Sequence, residues 1–258
     1  MEAICIETEN INPEILRRCL LSQVESWQRS GLLQEFNETC KGTVTIWDCK
    51  VINDGQARDF RQLAAQVIAD YIISEVEPVL LDKIAVLHHP HLGENERQQI
   101  TNNVRQRLTR EEMLTGESRR YMILRHLEDF LQGQDQINIE GFVRFRLQDY
   151  QRELLNLINQ SADDWMIEKE YQDFINLLKY FVEIQQPRFP VMHLMHGDEG
   201  TLLCDNKFKV LHKEQNQDIE GADAIVSTLV TAAPNDIIVH VNNFSGDNEL
   251  VSTVQQIF

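Results

Sequence analysis

The stretch from Ile137 to Tyr150 constrains the fold more than any other segment, because it specifies where a helix begins and how the chain enters it. Asn138 reads as an N-cap, whose side-chain oxygen accepts from a first-turn amide. Glu140 complements the positive end of the helix dipole, and Ile137 with Phe142 stand at the two positions of a hydrophobic staple. Val143, Leu147, Tyr150, Leu154, Leu157 and Ile158 then repeat on one side, while Arg144, Gln148, Gln151 and Arg152 fall elsewhere. A second helix is expected from Glu168 to Gln186, with Tyr171, Phe174, Ile175, Leu178, Phe181 and Val182 at three- and four-residue steps. This is the strongest helical period in the chain, and it assigns the stripe to the core.

Elements of a different kind flank these helices. Residues Glu2 to Glu7 are β-prone, Asn12 and Pro13 suit a helix start, and Ile15, Leu16, Cys19, Leu20, Val24 and Trp27 repeat helically up to Gly31. The β-branched and aromatic run around Thr43 to Trp47 then closes a strand–helix–strand opening over residues 1–55. Residues 56–187 are mostly helical. Phe60, Leu63, Ala64, Val67, Ile68, Tyr71 and Ile72 share one stripe, and Pro78 implies a kink or break. After Pro187 and Pro190 the period shortens: Val191 to His196 and Thr201 to Cys204 read as a hairpin, and Asp218 to Ala233 as an amphipathic helix. Ile237 to Val241 reads as a strand buried on both faces, and Leu250 to Ile257 as a last helix, so residues 188–258 form a ββαβα segment. The expected class is α+β, a helical middle between two α/β segments. Their strands are expected to join in one small sheet, since a two-stranded ribbon is barely stable alone.

A net charge of −17 opposes polyanion binding, which draws its affinity from Lys and Arg replacing phosphate counterions. No Lys or Arg follows Lys213, and the arginines from Arg105 to Arg125 are interleaved with Glu111, Glu112 and Glu117, which makes a solvated mixed-charge face. Nucleic acid is therefore disfavoured as a partner. Five scattered cysteines without a C-x-x-C pair fit a reducing compartment, the start lacks the features of a secretory signal, and the apolar runs are too short or interrupted to span a bilayer. The expected location is the cytoplasm.

The nucleotide-binding glycine motifs, G-x-S-x-G and H-E-x-x-H are absent from the sequence, and it assigns no catalytic residue, cofactor or metal. His88, His89 and His91 form the densest histidine cluster, but Pro90 directs a loop, and H-H-P-H is not a structural zinc spacing. His193 and His196 are three apart on a strand and point to opposite faces. His240 ends a strand, where open α/β sheets place ligands. Arg144 and Arg146, beside Phe142 and Phe145, admit two readings. They receive an anion or a protein partner near a helix N-terminus, or they are held internally, Arg146 by Asp149 and Arg144 by the acidic C-terminal segment.

The run Ile137 to Leu147, with Glu168 to Tyr171, Leu177 to Val182, Ala233-Pro234, Ile237 to His240 and the terminal Ile257-Phe258, resembles the YtxC-like sporulation proteins of endospore-forming Firmicutes. The resemblance covers most of the second half and the first half in outline. It implies a cytosolic, sporulation-associated protein of undefined activity, so no catalytic residue carries over. Some members extend past the position of Phe258 into a cysteine-bearing tail, and no metal or redox role of such a tail is expected here. The functional expectation is a non-enzymatic interaction or regulatory protein with a protein partner. The alternative is a small-anion sensor or enzyme, with its site near the Arg144/Arg146 helix and the C-terminal sheet. The candidate binding residues are Arg144, Arg146, Phe142 and His240.

Overall fold

Alternation of apolar and polar residues makes β1 (Ala3–Glu9) a one-faced strand: Ile4, Ile6 and Thr8 are buried, and their neighbours are not. The computed structural model describes residues 3–9, 13–52, 54–115, 119–197, 200–213, 219–240 and 249–258. Asn12 and Val241 lie outside them. In α1 (Pro13–Arg29), Leu16, Leu20, Val24 and Trp27 form the buried stripe that the periodicity predicts. Gly31, at φ 76°, ends this helix. Its amide donates to Gln28 O and that of Leu32 to Trp27 O, the paired bonds of a left-handed C-terminal cap. The chain then runs through β2 (Leu33–Lys41) and β3 (Val44–Val51), joined by a two-residue turn in which Gly42 takes φ 65°.

α2 (Asp54–Tyr71) and α3 (Glu77–His88) form one rod interrupted by a π turn at Ile72–Val76, where the Glu77 amide bonds to Ile72 O. Pro78 sits in the first turn after this shift, where its missing N–H interrupts no helical ladder. The sequence-predicted kink is thus a local change of register. α4 (Glu94–Thr115), α5 (Arg119–Gly133), the short β4 (Gln136–Asn138) and α6 (Ile139–Arg146) follow. Leu147, with φ −107° and ψ 38°, breaks the helix before α7 (Gln148–Glu183). The helix read as continuous from Asn138 is therefore two helices.

The chain divides into two compact units, Met1–Asp164 and Trp165–Phe258, with the boundary inside α7. In the first, the sheet order is β2-β3-β1-β4, with β4 parallel to β1 and the other pairs antiparallel. Ile4 faces Cys49, Ile6 faces Trp47 and Thr8 faces Thr45, so one buried face runs across β1 and β3. Trp27 of α1 meets Phe60 of α2 edge-on at 5.2 Å. In the second unit, β5 (Val191–Gly197), β6 (Gly200–Cys204), β7 (Val210–Lys213) and β8 (Asp236–His240) form a sheet in the order β7-β6-β5-β8. α8 (Ile219–Ala232) and α9 (Glu249–Ile257) bury Ile225, Leu229, Leu250 and Val254 against Met192, Leu194 and Leu203. No helix among the described residues is long and apolar enough to cross a membrane.

The α+β class holds, with helices dominating and a small mixed sheet towards each end. The expected single sheet is corrected to two. Each antiparallel set takes a parallel strand from within its own unit, β4 onto β1 and β8 onto β5, and so gains the added pairing that a lone ribbon lacks. Ile237 to His240 is also not buried on both faces: β8 is an edge strand, and Ile238 is 45% exposed.

Candidate functional site

α6 begins as its sequence predicts. Asn138 Oδ1 accepts from Gly141 N at 2.7 Å, and Ile137 and Phe142 are both buried. Glu140 does more than complement the dipole. Its Oε1 accepts from Thr8 Oγ1 at 2.7 Å and from Glu9 N at 2.9 Å, which ties the helix start to β1. The positive end of α6 is thus closed by the protein's own side chains. Because α6 has only two turns, Arg144 and Arg146 lie in its last turn, where cations complement the carbonyl end. The anion site expected at this helix's N-terminus is therefore not where the arginines are.

The two guanidinium groups lie over aromatic rings, Arg144 over Phe145 at 5.3 Å and Arg146 over Phe130 at 5.6 Å. Asp149 pairs with Arg152 at 2.9 Å instead of with Arg146. Neither Arg144 nor Arg146 has a carboxylate partner among the described residues. Phe142 packs edge-on to Phe130 at 5.4 Å and so supports the ring beneath Arg146 from within the core. Arg146, Phe145, Phe130, His126, Asp129 and Gln134 line a groove of about 510 Å³. It is a mixed surface with one free cation and one carboxylate, suited to a polar contact rather than to enclosing a small molecule.

Arg144 and Arg146 belong to the first unit and His240 to the second. His240 Nε2 lies 3.2 Å from Nδ1 of His193, and the rings tilt at 44°. His193 is buried on β5, opposite Cys204 of β6 and paired with Ile238 of β8, two residues before His240 and so on the same face of the sheet. Phe208 lies flat on His193 with centroids 4.4 Å apart and planes 11° apart. A tight turn places this ring: Asp205 Oδ1 accepts from Lys207 N at 2.8 Å and Lys209 N at 2.9 Å, and Phe208 takes φ 61°. These bonds hold the Asp205 carboxyl below its usual range. The expectation that paired His193 with His196 only to separate them overlooked the real neighbour, which lies on the adjoining strand. The side chain of His196 is outside the described residues.

Two further features escaped the sequence reading. Glu77, 3% exposed, accepts from the Tyr150 hydroxyl and lies 3.4 Å from Arg119 Nε, just after the π turn. Nothing in the local pattern marks Glu77 as buried. The other is the outer face of α7. Ile167, Phe174, Leu177, Tyr180, Phe181 and Ile184 are exposed, whereas Ile175 on the opposite side of the stripe is buried. Periodicity assigned this helix to the core, but it reports only that a face is apolar, not what covers it. In the histidine loop, His89 Nε2 lies 3.0 Å from Asn159 Oδ1 and its ring meets that of His91 at 5.8 Å. No group of three or more metal-capable side chains gathers there or elsewhere among the described residues.

The chain is 25% identical over 149 residues to the uncharacterized protein YtxC of Bacillus subtilis (strain 168), a match that takes in 55% of this chain and 52% of that relative. The chain thus spans about half the length of this curated relative. No solved structure matches it. The family model for the YtxC-like family matches residues 62–258, from the middle of α2 to the C-terminal residue, and the chain belongs to that family.

Proposed function

We propose that this protein is a cytosolic, sporulation-associated interaction protein rather than an enzyme, and that it holds a partner protein on the exposed stripe of α7. One observation carries the reading: seven large apolar or aromatic side chains, Tyr171 among them, lie open within eighteen residues, Ile167 to Ile184, along α7 and just past its end. Monomeric proteins seldom leave such a contiguous stripe to water, and a rimmed apolar patch marks a contact site. The rim sets the partner's chemistry. Glu168, Glu170, Asp173 and Glu183 outnumber Lys169 and Lys179, and Lys169 is drawn over the Trp165 ring at 4.7 Å. The complementary occupant is an amphipathic helix with basic flanks, read by apolar anchors at three- and four-residue steps. A second copy of the chain brings the same acidic rim and a charge of −17.

A photoreactive residue at Phe181, activated in sporulating cells, tests this. The expected product is a crosslink to a basic amphipathic segment of another protein. With that segment as a purified peptide, binding weakens with salt and is lost in Phe174→Ser/Phe181→Ser, while far-UV circular dichroism is unchanged. A crosslink only to a second copy overturns the reading. The aromatic-backed arginines support small-anion binding at the Arg146 groove as a second reading. Arg144→Gln/Arg146→Gln, titrated with inorganic phosphate, tests it separately.

A further inference from the structure

The seam between β5 and β8 brings together two imidazoles that are 47 residues apart in the chain. We propose that His193 and His240 form a binding site for a late first-row transition dication, zinc(II) or a close neighbour, with His193 Nδ1 and His240 Nε2 as its two protein ligands and water completing the shell. The separation of the two nitrogens, 3.2 Å, supports this first. Two nitrogens each about 2.0–2.1 Å from a tetrahedral zinc ion stand about 3.3 Å apart. The two nitrogens thus already stand at the spacing an ion requires, and binding turns the rings from facing one another to facing the ion. The strands that carry the rings are held in register by the parallel β5–β8 ladder.

The donors set the class of ion. Imidazole suits zinc, copper and nickel, whereas calcium and magnesium require oxygen ligands. Among the described residues no third His, Cys, Asp or Glu joins the pair. The site thus resembles an open centre with exchangeable positions more than a closed structural one. Phe208 lies flat against His193 and keeps water from one side of the pair, which strengthens the ion's interactions with the nitrogens. The strongly negative chain also concentrates cations around it.

Without an ion the pair shares one hydrogen bond, one ring nitrogen donating and the other accepting. On binding, each histidine carries its remaining proton on its other ring nitrogen. Two nitrogen–metal bonds form, and two metal–water bonds break.

Titration of the full chain with zinc sulfate at neutral pH, followed by calorimetry, tests the proposal independently of the α7 stripe. One saturable site is expected. Its affinity falls at least ten-fold in His193→Gln and in His240→Gln, and stays unchanged in His89→Gln/His91→Gln and in the α7 variant. His240 is half-buried, so His240→Gln decides the matter if His193→Gln does not fold. Absence of saturable zinc binding by the wild-type chain overturns the proposal. Binding that survives His240→Gln, or that disappears with the His89/His91 pair, overturns it as well.

Discussion

The two sheets share a plan and differ at one seam. Each is an antiparallel set of three strands extended by a parallel strand, β4 beside β1 in the first unit and β8 beside β5 in the second. At the β1–β4 seam the polar groups close on one another: Glu140 takes the Thr8 hydroxyl and the Glu9 amide, and Gln136 Nε2 donates to Glu7 at 2.7 Å. At the β5–β8 seam stand two imidazoles under an aromatic ring. A carboxylate that accepts a hydroxyl and an amide is a tie, and it fixes where α6 starts. An imidazole pair can exchange its shared hydrogen bond for another ligand. One topology therefore supplies a clamp in one unit and a candidate site in the other.

The largest effect that tests this contrast lies in the first unit's core. Glu77→Ala removes a buried carboxylate that serves both Arg119 and Tyr150. Urea denaturation is expected to show a loss of about 3–5 kcal/mol. A loss under 1 kcal/mol would mean that polar groups in this unit are not structural ties. Next, Glu140→Ala should cost about 1.5–3 kcal/mol through its two charge-assisted bonds, whereas His240→Gln should cost less than about 1 kcal/mol. Equal losses would remove the distinction between the seams.

A smaller effect concerns alkali. Burial, reinforced by Asp48, pushes the Cys49 thiol up to about 12. The unfolded chain then loses its thiol proton first, so the native state gains nothing from ionisation and stability falls as pH rises from the ordinary thiol value towards 12. Cys49→Ala should flatten that fall between pH 9 and 11, leaving the parts due to Cys5 and Tyr71, which burial also raises to about 12. The smallest effect is confined to the second unit. The Asp205 carboxyl is lowered by the Lys209 and Lys207 amides, so its support of the turn is present above the ordinary aspartate range and lost as pH falls through its depressed value. Asp205→Ala should release Phe208 from His193 at all pH values, visible by NMR as loss of the ring-current shift on the His193 protons. An unchanged shift would show that the turn does not place the ring.

Strong local rules made much of the fold legible. The Asn138 cap, the α1 stripe and the one-faced β1 follow from side-chain spacing alone. β2 was missed because Gln34, Glu35, Asn37 and Glu38 give it no apolar face; it is an outer strand held by its ladder to β3. β4 and β7, three and four residues long, are too short to show a period. Of the candidate residues, Arg146 and His240 were visible as single side chains. That Phe130 and His193 are their neighbours was not legible, since each comes from an element distant in the chain.

By itself the sequence determined the α+β class, the start of α6, the YtxC-like membership and the acidic charge, because caps, periods, motifs and counts are properties of neighbouring residues. Only the tertiary structure decided that there are two sheets, that Glu77 is buried, that the outer face of α7 is open and that His193 meets His240. Those outcomes depend on which strand edge is paired and what covers each apolar face, and such contacts form between segments whose separation along the chain leaves no local trace.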